Sequence, residues 1–256
     1  MGLLLAVQML PETPTIITVL SRYFSNSPWA AFLYKWEDIF FSLLISLLLS
    51  LLFYFGALKR ELIPSGLQNF LEWIVENFRT LIIGILGSEG EKSISFLGIL
   101  FIYILSMNLF GLIPLMKSPS SNLNITFAMA ICVFAYVQYL NIKNMGVKGF
   151  LYHLIGSPTN VIGWIIAPLM FFIELLTQLS RPVTLALRLF GNILGEKILI
   201  GFFALIGVTL LYFIPIQTPF MFLGLLTSIM QAMVFTLLST IYILVSMPHQ
   251  EDHINH

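Results

Sequence analysis

The stretch RPVTLALRLFGNILGE, residues 181–196, places two arginines and a glutamate inside a long apolar segment. From 161 to 247 the only other Asp, Glu, Lys or Arg residues are Glu174 and Lys197. A charge at bilayer depth costs about 2.5–3.5 kcal/mol on insertion scales. These residues therefore predict an ion path or a buried pair. For Arg188 the ordinary alternatives are a structural salt bridge and a side chain that reaches back to a membrane face.

The composition of the whole chain predicts an integral membrane protein. Apolar residues make up 58% of it and charged residues only 9%, whereas soluble domains average about 45–50% and about 25%. The formal net charge is zero, so no basic face points to nucleic acid. A chain of this kind needs the lipid bilayer as part of its solvent.

The apolar runs predict an all-α fold with about five membrane-embedded helices and one interfacial helix. Runs long enough to cross about 30 Å of hydrocarbon occur at 39–58, 94–115 and 125–142. The segment 161–247 reads as two long helices separated by a turn at Pro215 and Pro219. The stretch 67–86 mixes apolar residues with charged ones and predicts an amphipathic helix along the inner interface. An ordinary connector is the alternative for that stretch.

Basic residues predict the topology. Lys59 and Arg60 follow the first span, and Lys143 and Lys148 follow the third. The positive-inside rule places both ends on the inner side of the membrane. We therefore expect an outer N-terminal segment (1–38), a membrane domain (39–247) and an inner C-terminal tail (248–256).

Helical spacing collects small and polar residues into one stripe on the first of the two long helices. Positions three, four and seven apart share a face of a helix. The stripe consists of Arg181, Thr184, Arg188, Gly191, Asn192 and Gly195. Glycine and threonine allow another helix to approach closely, and the arginines predict that the approaching surface carries negative charge.

The last helix repeats this pattern more weakly. Thr227, Ser228 and Gln231 share a face, and Tyr242 lies near it. Gln231 is the only amide between 219 and 248, and its ordinary role would be an interhelical hydrogen bond.

Cys132, the single cysteine, is expected to be a small buried hydrophobe.

The sequence predicts no cofactor and no metal site. The four histidines lack tight ligand spacing within an ordered span. No GxxxxGK[ST] string is present, so we expect the chain to have no catalytic site for ATP hydrolysis.

Four motifs, in order along the chain, resemble the a subunit of the rotary F-type ATP synthases. RPVTLALRLFGNILGE (181–196) is similar to the signature helix of that family, and its LRLFGN core is highly specific. MNLFGLIP (107–114), PSSNLNITFAMA (119–130) and TSIMQAMVFTLLSTIYI (227–243) also resemble it. The resemblance covers most of the chain from about residue 36.

The resemblance implies a function and a set of roles. The two long helices would be tilted and would pack against a rotor ring of c subunits, beside a b-subunit peripheral stalk and the other synthase subunits. Arg188 matches the arginine that faces the ring carboxylates, and Gln231 matches the glutamine that accompanies it. Asn192 and Glu174 match groups that line two aqueous half-channels. A bacterial plasma membrane is expected, with an organelle inner membrane as the alternative.

The sequence departs from the family pattern near the end of the signature. Many members carry an acid, or His in mitochondrial forms, nine residues after the arginine. Here that position is Lys197, and the carboxylate is Glu196. Glu196 replaces the acid after a small rotation of the helix, or else it pairs with a neighbouring cation. A second departure is Asn122, where many members have Asp.

Two other functions are compatible with an apolar chain of this kind. One is a stand-alone secondary transporter that uses the charged residues for its substrate, although no inverted repeat is visible. The other is a non-conducting assembly or anchoring protein, which would need no arginine at bilayer depth. Proton and sodium coupling are both open from this sequence.

Overall fold

The computed structural model describes residues 15–23, 28–58, 66–113, 115–156, 161–210 and 218–246. These residues form helices and contain no strand, which confirms the all-α class. The helices are α1 (Ile16–Tyr23), α2 (Pro28–Lys35), α3 (Glu37–Leu58), α4 (Leu67–Leu86), α5 (Ile94–Phe110), α6 (Leu123–Leu154), α7 (Val161–Leu210) and α8 (Thr218–Ser246). Short 3₁₀ turns at Ser88–Ser93 and Pro119–Ser121 precede α5 and α6.

Four segments of the described chain are long and apolar enough to cross a membrane: 37–56, 90–110, 123–150 and 218–245. Only 11–33% of each of their most apolar windows is buried inside the chain. Most of that apolar surface must therefore be covered by lipid or by other membrane proteins. Helix α7, the longest at 50 residues, carries the five charged residues of the 161–247 segment.

The predicted helix bounds hold for α3 and α4 and fail around the turn between α5 and α6. Helix α3 matches the prediction 39–58 within two residues, and α4 coincides with 67–86. The prediction 94–115 was too long, because α5 ends at Phe110. There the chain folds back so tightly that a Cβ on Gly111 would lie 2.4 Å from the Ser118 Cβ.

The prediction 125–142 was too short. Helix α6 runs from Leu123 to Leu154, with a break at Gly146, whose φ of 71° is left-handed. The break separates the long apolar part of α6 from a short helix that follows it. Pro215 and the predicted tail 248–256 lie outside the described residues, and Pro219 occupies the second position of α8, where proline is well tolerated.

The core lies where α5, α6, α7 and α8 meet. Its largest fully buried side chains include Ile104, Leu189 and Phe235. The buried face of α8 also carries the small hydroxyl residues Ser239 and Thr240. Because lipid tails are as apolar as the helices, close packing and hydrogen bonds hold such helices together, and small residues allow that closeness.

The amphipathic helix α4 packs on this core by its C-terminal half. Ile82 and Leu86 are buried, whereas Phe70 and Trp73 are exposed. Arg79 forms a 2.5 Å salt bridge to Glu91 in the following 3₁₀ turn. The helix itself is confirmed, and its position along the membrane interface remains a prediction.

The N-terminal segment is attached to the turn between α5 and α6. The Ile16 backbone nitrogen donates a 2.9 Å hydrogen bond to the Leu115 carbonyl, and the Thr15 hydroxyl donates one to the Glu37 carboxylate.

The expectation that Cys132 is buried was wrong, since its side chain is exposed. It lies beside a cavity of about 680 Å³ between α3, α5 and α6, which leaves this face of α6 uncovered.

The break in α6 can be tested with Gly146→Ala. An alanine must hold a left-handed conformation there, which costs roughly 1–2 kcal/mol, so we expect a lower thermal midpoint of the purified protein in detergent. Gly84→Ala is the matched control, because Gly84 lies within α4 with open space around it and alanine favours helix by up to about 1 kcal/mol. Equal midpoints for the two variants, measured by circular dichroism, would contradict the break.

Candidate functional site

Helices α7 and α8 run antiparallel and are joined by polar side chains at matching positions. The Asn192 side-chain nitrogen donates a hydrogen bond to the side-chain oxygen of Gln231. Four residues further along α7, the Glu196 carboxylate accepts a 3.0 Å hydrogen bond from Thr227, which lies four residues earlier on α8. Because four residues make about one helical turn, the two contacts stack on one face of the helix pair.

A third contact continues the same register. The Arg181 guanidinium lies over the Tyr242 ring, 5.2 Å from its centre. Arg181 comes eleven residues before Asn192, and Tyr242 comes eleven residues after Gln231. This is a cation–π contact, and with the two hydrogen bonds it defines how α7 and α8 are aligned along their length.

Arg188 lies between these contacts along α7. Its side chain is exposed, as are Thr184, Gly191, Asn192 and Gly195 of the predicted stripe, whereas Arg181 is partly buried. Within the described parts of the chain, no hydrogen bond or ion pair holds the Arg188 guanidinium. The internal salt bridge that sequence reasoning left open for Arg188 therefore has no partner among those residues.

Gln231 has both an ordinary role and an unused donor. Its side chain is 3% exposed. Its oxygen accepts a hydrogen bond from Asn192 of α7, which is the interhelical bond that the sequence analysis gave as the ordinary role of Gln231. Its amide nitrogen is buried and has no hydrogen-bond partner among the described residues. An unsatisfied buried donor is costly, so this amide is available to water or to a partner at the helix pair.

Glu196 and Lys197 extend to different neighbours. Glu196 lies half-buried between α7 and α8, against Thr227 and Gly224. The Lys197 ammonium instead donates a 2.7 Å hydrogen bond to the Ser121 hydroxyl in the turn before α6. That turn follows the second span, which the predicted topology places on the outer side. Glu196 and Lys197 therefore lie toward the end of α7 that the predicted topology places on the outer side.

A cluster of charges lies beside that turn. The Asn122 amide donates a 2.6 Å hydrogen bond to the Asp38 carboxylate. The Lys117 ammonium lies 3.0 Å from Asp38 and 3.6 Å from Glu37. These contacts join the turn before α6 to the start of α3.

Glu174 lies on the other side of Arg188 along α7 and joins a chain of amides. Gln178 donates a 3.1 Å hydrogen bond to the Glu174 carboxylate. Gln138 of α6 donates a 2.7 Å hydrogen bond to Gln178. A small cavity of about 20 Å³ lies beside the two glutamines and Arg181, which is enough space for one water molecule.

Sequence reasoning missed Gln138, Gln178 and the buried Asn108. The Asn108 side chain accepts a 2.7 Å hydrogen bond from Ser120 and donates to the Ser228 carbonyl at 3.5 Å. Each of the three is an amide within an apolar helix, and such amides usually find a partner on a neighbouring helix. The amides could be recognised in the sequence, but the sequence does not show which residue of a neighbouring helix each one bonds to.

The fold and this site define a multi-pass α-helical membrane protein whose longest helix, α7, carries five charged residues and packs beside the uncharged helix α8. No group of three or more His, Cys, Asp or Glu side chains that could hold a metal occurs in the described ranges. The family described as ATP synthase A chain matches residues 39–244. The chain belongs to that family.

Curated relatives agree with this assignment. ATP synthase subunit a of Protochlamydia amoebophila is 60% identical over 252 residues, covering 96% of this chain and 93% of the relative. ATP synthase subunit a of Trichlorobacter lovleyi is 41% identical over 86% of this chain and 88% of its own. The subunit from Solidesulfovibrio magneticus is 38% identical over 85% and 91%. All three matches span nearly the whole length of both proteins.

The register of α7 and α8 can be tested with cysteine pairs in a Cys132→Ser background. We expect a short bifunctional thiol reagent to link 192 with 231 and 196 with 227. The mismatched pairs 192 with 227 and 196 with 231 are the controls, because a shift of one turn separates their positions by about 5.4 Å more along the axis. Intact-mass spectrometry distinguishes a doubly attached linker from a singly attached one. Equal yields in matched and mismatched pairs would exclude the register.

Proposed function

We propose that this chain is the proton-translocating stator subunit of an F-type ATP synthase. In this role it exchanges protons with carboxylates on a rotating ring of c subunits and so couples proton flow to ATP synthesis. The observation that carries the proposal is an exposed arginine with no partner in the described chain, on a long helix of mainly apolar residues. The family assignment supports the same reading.

Arginine suits a fixed charge beside a ring of acids. Its pKa exceeds about 12, so it stays protonated even when it is poorly hydrated. A ring carboxylic acid facing lipid stays neutral because burial disfavours its charged form. Opposite Arg188 the charged form is favoured, since an opposite charge within about 4–6 Å stabilises a carboxylate. The ring acid therefore releases its proton before it passes the arginine.

The same charge separates two access routes. Arg188 repels a proton that would move directly from one side to the other, so protons must travel round on the ring. Each charge that crosses 100 mV releases about 2.3 kcal/mol, and several crossings per turn supply the energy for ATP synthesis in an attached catalytic head. The chain itself carries out no ATP chemistry.

Two carboxylates on α7 flank the arginine and provide those routes. Glu174 comes fourteen residues before Arg188, and Glu196 comes eight residues after it. At 1.5 Å per residue they are about 33 Å apart along the helix, close to the thickness of the hydrocarbon core of about 30 Å. Glu196 belongs to the outer half-channel with the polar turn, and Glu174 belongs to the inner half-channel with its amides.

The proposal also includes the neighbouring subunits and the membrane in which the chain lies. The exposed stripe of α7 faces the c-ring, and a b-subunit peripheral stalk and the other synthase subunits hold the chain against rotation. The membrane is a bacterial plasma membrane. Purified chain that transported a substrate by itself in proteoliposomes would favour a secondary transporter instead.

The charge on Arg188 can be tested in membrane vesicles that contain the whole complex. Arg188→Ala should abolish proton-driven ATP synthesis, and Arg188→Lys should impair it because lysine can lose its proton. Lys148→Ala is the matched control, since Lys148 is an exposed base on the inner end of α6 and should keep wild-type synthesis. Normal coupled synthesis by the alanine variant would end the proposal.

The two access routes can be tested by labelling cysteines with a membrane-impermeant thiol reagent, again in a Cys132→Ser background. Glu196→Cys should react from the outer side and Glu174→Cys from the inner side. Leu169→Cys is the control, because Leu169 is an exposed apolar residue of α7 and should stay unlabelled in lipid. Lack of reaction at both glutamate positions would contradict the half-channel roles.

A further inference from the structure

The cavity of about 680 Å³ between α3, α5 and α6 is polar at one end and apolar along its length. Its charged and amide groups lie where α2 meets α3 and where α6 begins: Lys35, Asp38, Asn122 and Asn124. Its apolar lining lies farther from that end and includes Ile99 of α5 and Met129 of α6. Because Ile99 is 70% exposed, the cavity opens sideways out of the helix bundle. This combination fits an amphiphilic ligand.

Lys35 supplies a positive charge that the described part of the chain leaves unpaired. Its side chain is exposed, and no hydrogen bond or ion pair among those residues holds its ammonium. Asp38, the other charged residue of the lining, lies 3.0 Å from the Lys117 ammonium and accepts a 2.6 Å hydrogen bond from Asn122. Since Asp38 already has partners, the group that this end of the cavity lacks is an anion on Lys35.

The interior of the cavity makes little demand for hydrogen bonds. Ser42 and Tyr103 are the hydroxyl residues of the lining, and their oxygens lie 2.6 Å apart in a hydrogen bond with each other. A ligand in this part of the cavity therefore gains by apolar contact with residues such as Ile39 and Leu100. A hydrocarbon chain meets that requirement.

Exposed aromatic side chains mark the polar end of the cavity as the level of a membrane surface. Trp29, Phe32, Trp36 and Phe40 are all exposed. Helical hydrogen bonds from the Trp36 nitrogen to the Phe32 carbonyl and from the Phe40 nitrogen to the Trp36 carbonyl continue through the junction of α2 and α3, so the four side chains follow helical spacing. Tryptophan is enriched at membrane–water interfaces. Lys35, next to Trp36, therefore lies at the depth of lipid headgroups.

The length of the cavity matches one leaflet of a bilayer. Along α6 the lining extends from Asn124 to Cys132, which is about 12 Å of helix. One leaflet contributes about 15 Å of hydrocarbon, half of the total thickness of about 30 Å. A helix of another protein that crossed the whole bilayer would need a groove about twice as long. The cavity therefore fits an acyl chain better than a transmembrane helix.

We propose that this cavity binds one membrane phospholipid. The lipid phosphate contacts the Lys35 ammonium, and one acyl chain lies along the apolar lining between α3, α5 and α6. The lipid thereby fills a gap between the first span and the two helices behind it. The site requires only that the chain lies in a bilayer and does not depend on proton translocation.

Cys132, the single cysteine, can report on the occupancy of the site, because it lines the cavity and is exposed. The full chain is purified in detergent, and its reaction with N-ethylmaleimide is followed by intact-mass spectrometry. Phosphatidylethanolamine should slow the reaction, and inorganic phosphate, which has no acyl chain, should not. This phospholipid carries a phosphate but no net charge, so its general attraction to other lysines is small.

A neighbouring reporter separates the site from general coverage by lipid. Ile131→Cys in a Cys132→Ser background is the matched control, because Ile131 is 45% exposed and does not belong to the cavity lining. Phosphatidylethanolamine should leave the reaction at 131 unchanged. Equal protection at 131 and 132 would overturn the site.

The phosphate contact is tested with Lys35→Ala and Lys35→Arg. The alanine variant should need roughly threefold more phosphatidylethanolamine for half-protection of Cys132, as expected for one exposed ion pair, and the arginine variant should match the wild type. Lys148→Ala is the matched control, since Lys148 is exposed on α6 outside the lining. Diacylglycerol, which lacks the phosphate, should protect wild type and Lys35→Ala equally. Wild-type affinity of Lys35→Ala for phosphatidylethanolamine would overturn the phosphate contact.

The acyl-chain site is tested with Ala128→Trp, which places an indole in the cavity. Phosphatidylethanolamine should then no longer protect Cys132. Ala135→Trp is the matched control, because Ala135 is exposed two turns further along α6 and outside the lining, and it should leave protection as in the wild type. Full protection in Ala128→Trp would show that no chain enters the cavity.

The complete synthase distinguishes a lipid from a helix of another subunit. After its phospholipid is exchanged for detergent, Cys132 should become reactive, and added phosphatidylethanolamine should protect it again. A Cys132 that stays unreactive without phospholipid would show that another subunit covers the cavity, and the lipid site would be wrong. None of these outcomes depends on the result with Arg188→Ala, so the lipid site and the proposed function can fail separately.

Discussion

The alignment of α7 with α8 is the constraint on which the rest of the site depends. Three side-chain contacts set it: a cation–π pair, an amide–amide hydrogen bond and a hydroxyl–carboxylate hydrogen bond. Helices in lipid gain little from burying apolar surface against one another, so polar contacts between them carry much of the specificity. A slip of one helical turn would break all three contacts at once.

This alignment decides which polar residues are available to a partner. Asn192 and Glu196 are hydrogen-bonded to α8, whereas the exposed Arg188 has no such bond among the described residues. A guanidinium at bilayer depth is expensive, and it persists only where another group compensates for its charge. In the proposed mechanism that group is a mobile acid on the rotor, which explains why the chain alone supplies none within its described residues.

The polar groups around the turn between α5 and α6 connect parts of the chain that are far apart in sequence. Thr15 bonds to Glu37, Lys117 forms ion pairs with Glu37 and Asp38, Asn122 bonds to Asp38, and Ser121 accepts from Lys197. The N-terminal segment, which carries no family motif, is thus joined to the same cluster as the outer end of α7. Asn122, one of the two departures from the family pattern, acts here as a donor to a carboxylate rather than as a second acid.

The sequence alone determined the class of protein and most helices, and it predicted Arg188 as the central site residue. Composition requires lipid, helical spacing defines the stripe around Arg188, and the LRLFGN motif points to the family. These features are local, since each depends on residues within a few turns of one another. The sequence could not place the end of α5 at Phe110, because Ser118 packs back on Gly111 across a turn that periodicity does not encode.

Only the tertiary structure decided what Glu196 touches. From a helical wheel, Glu196 lies about 80° from Arg188, which leaves both a rotated acid and an ion pair open. The contact with Thr227 and the space at Gly224 come from α8, whose position relative to α7 depends on packing among four helices. The partners of Gln138 and Gln178 were hidden for the same reason. A one-dimensional pattern shows that a buried amide needs a partner, and only the packed helices show which one it has.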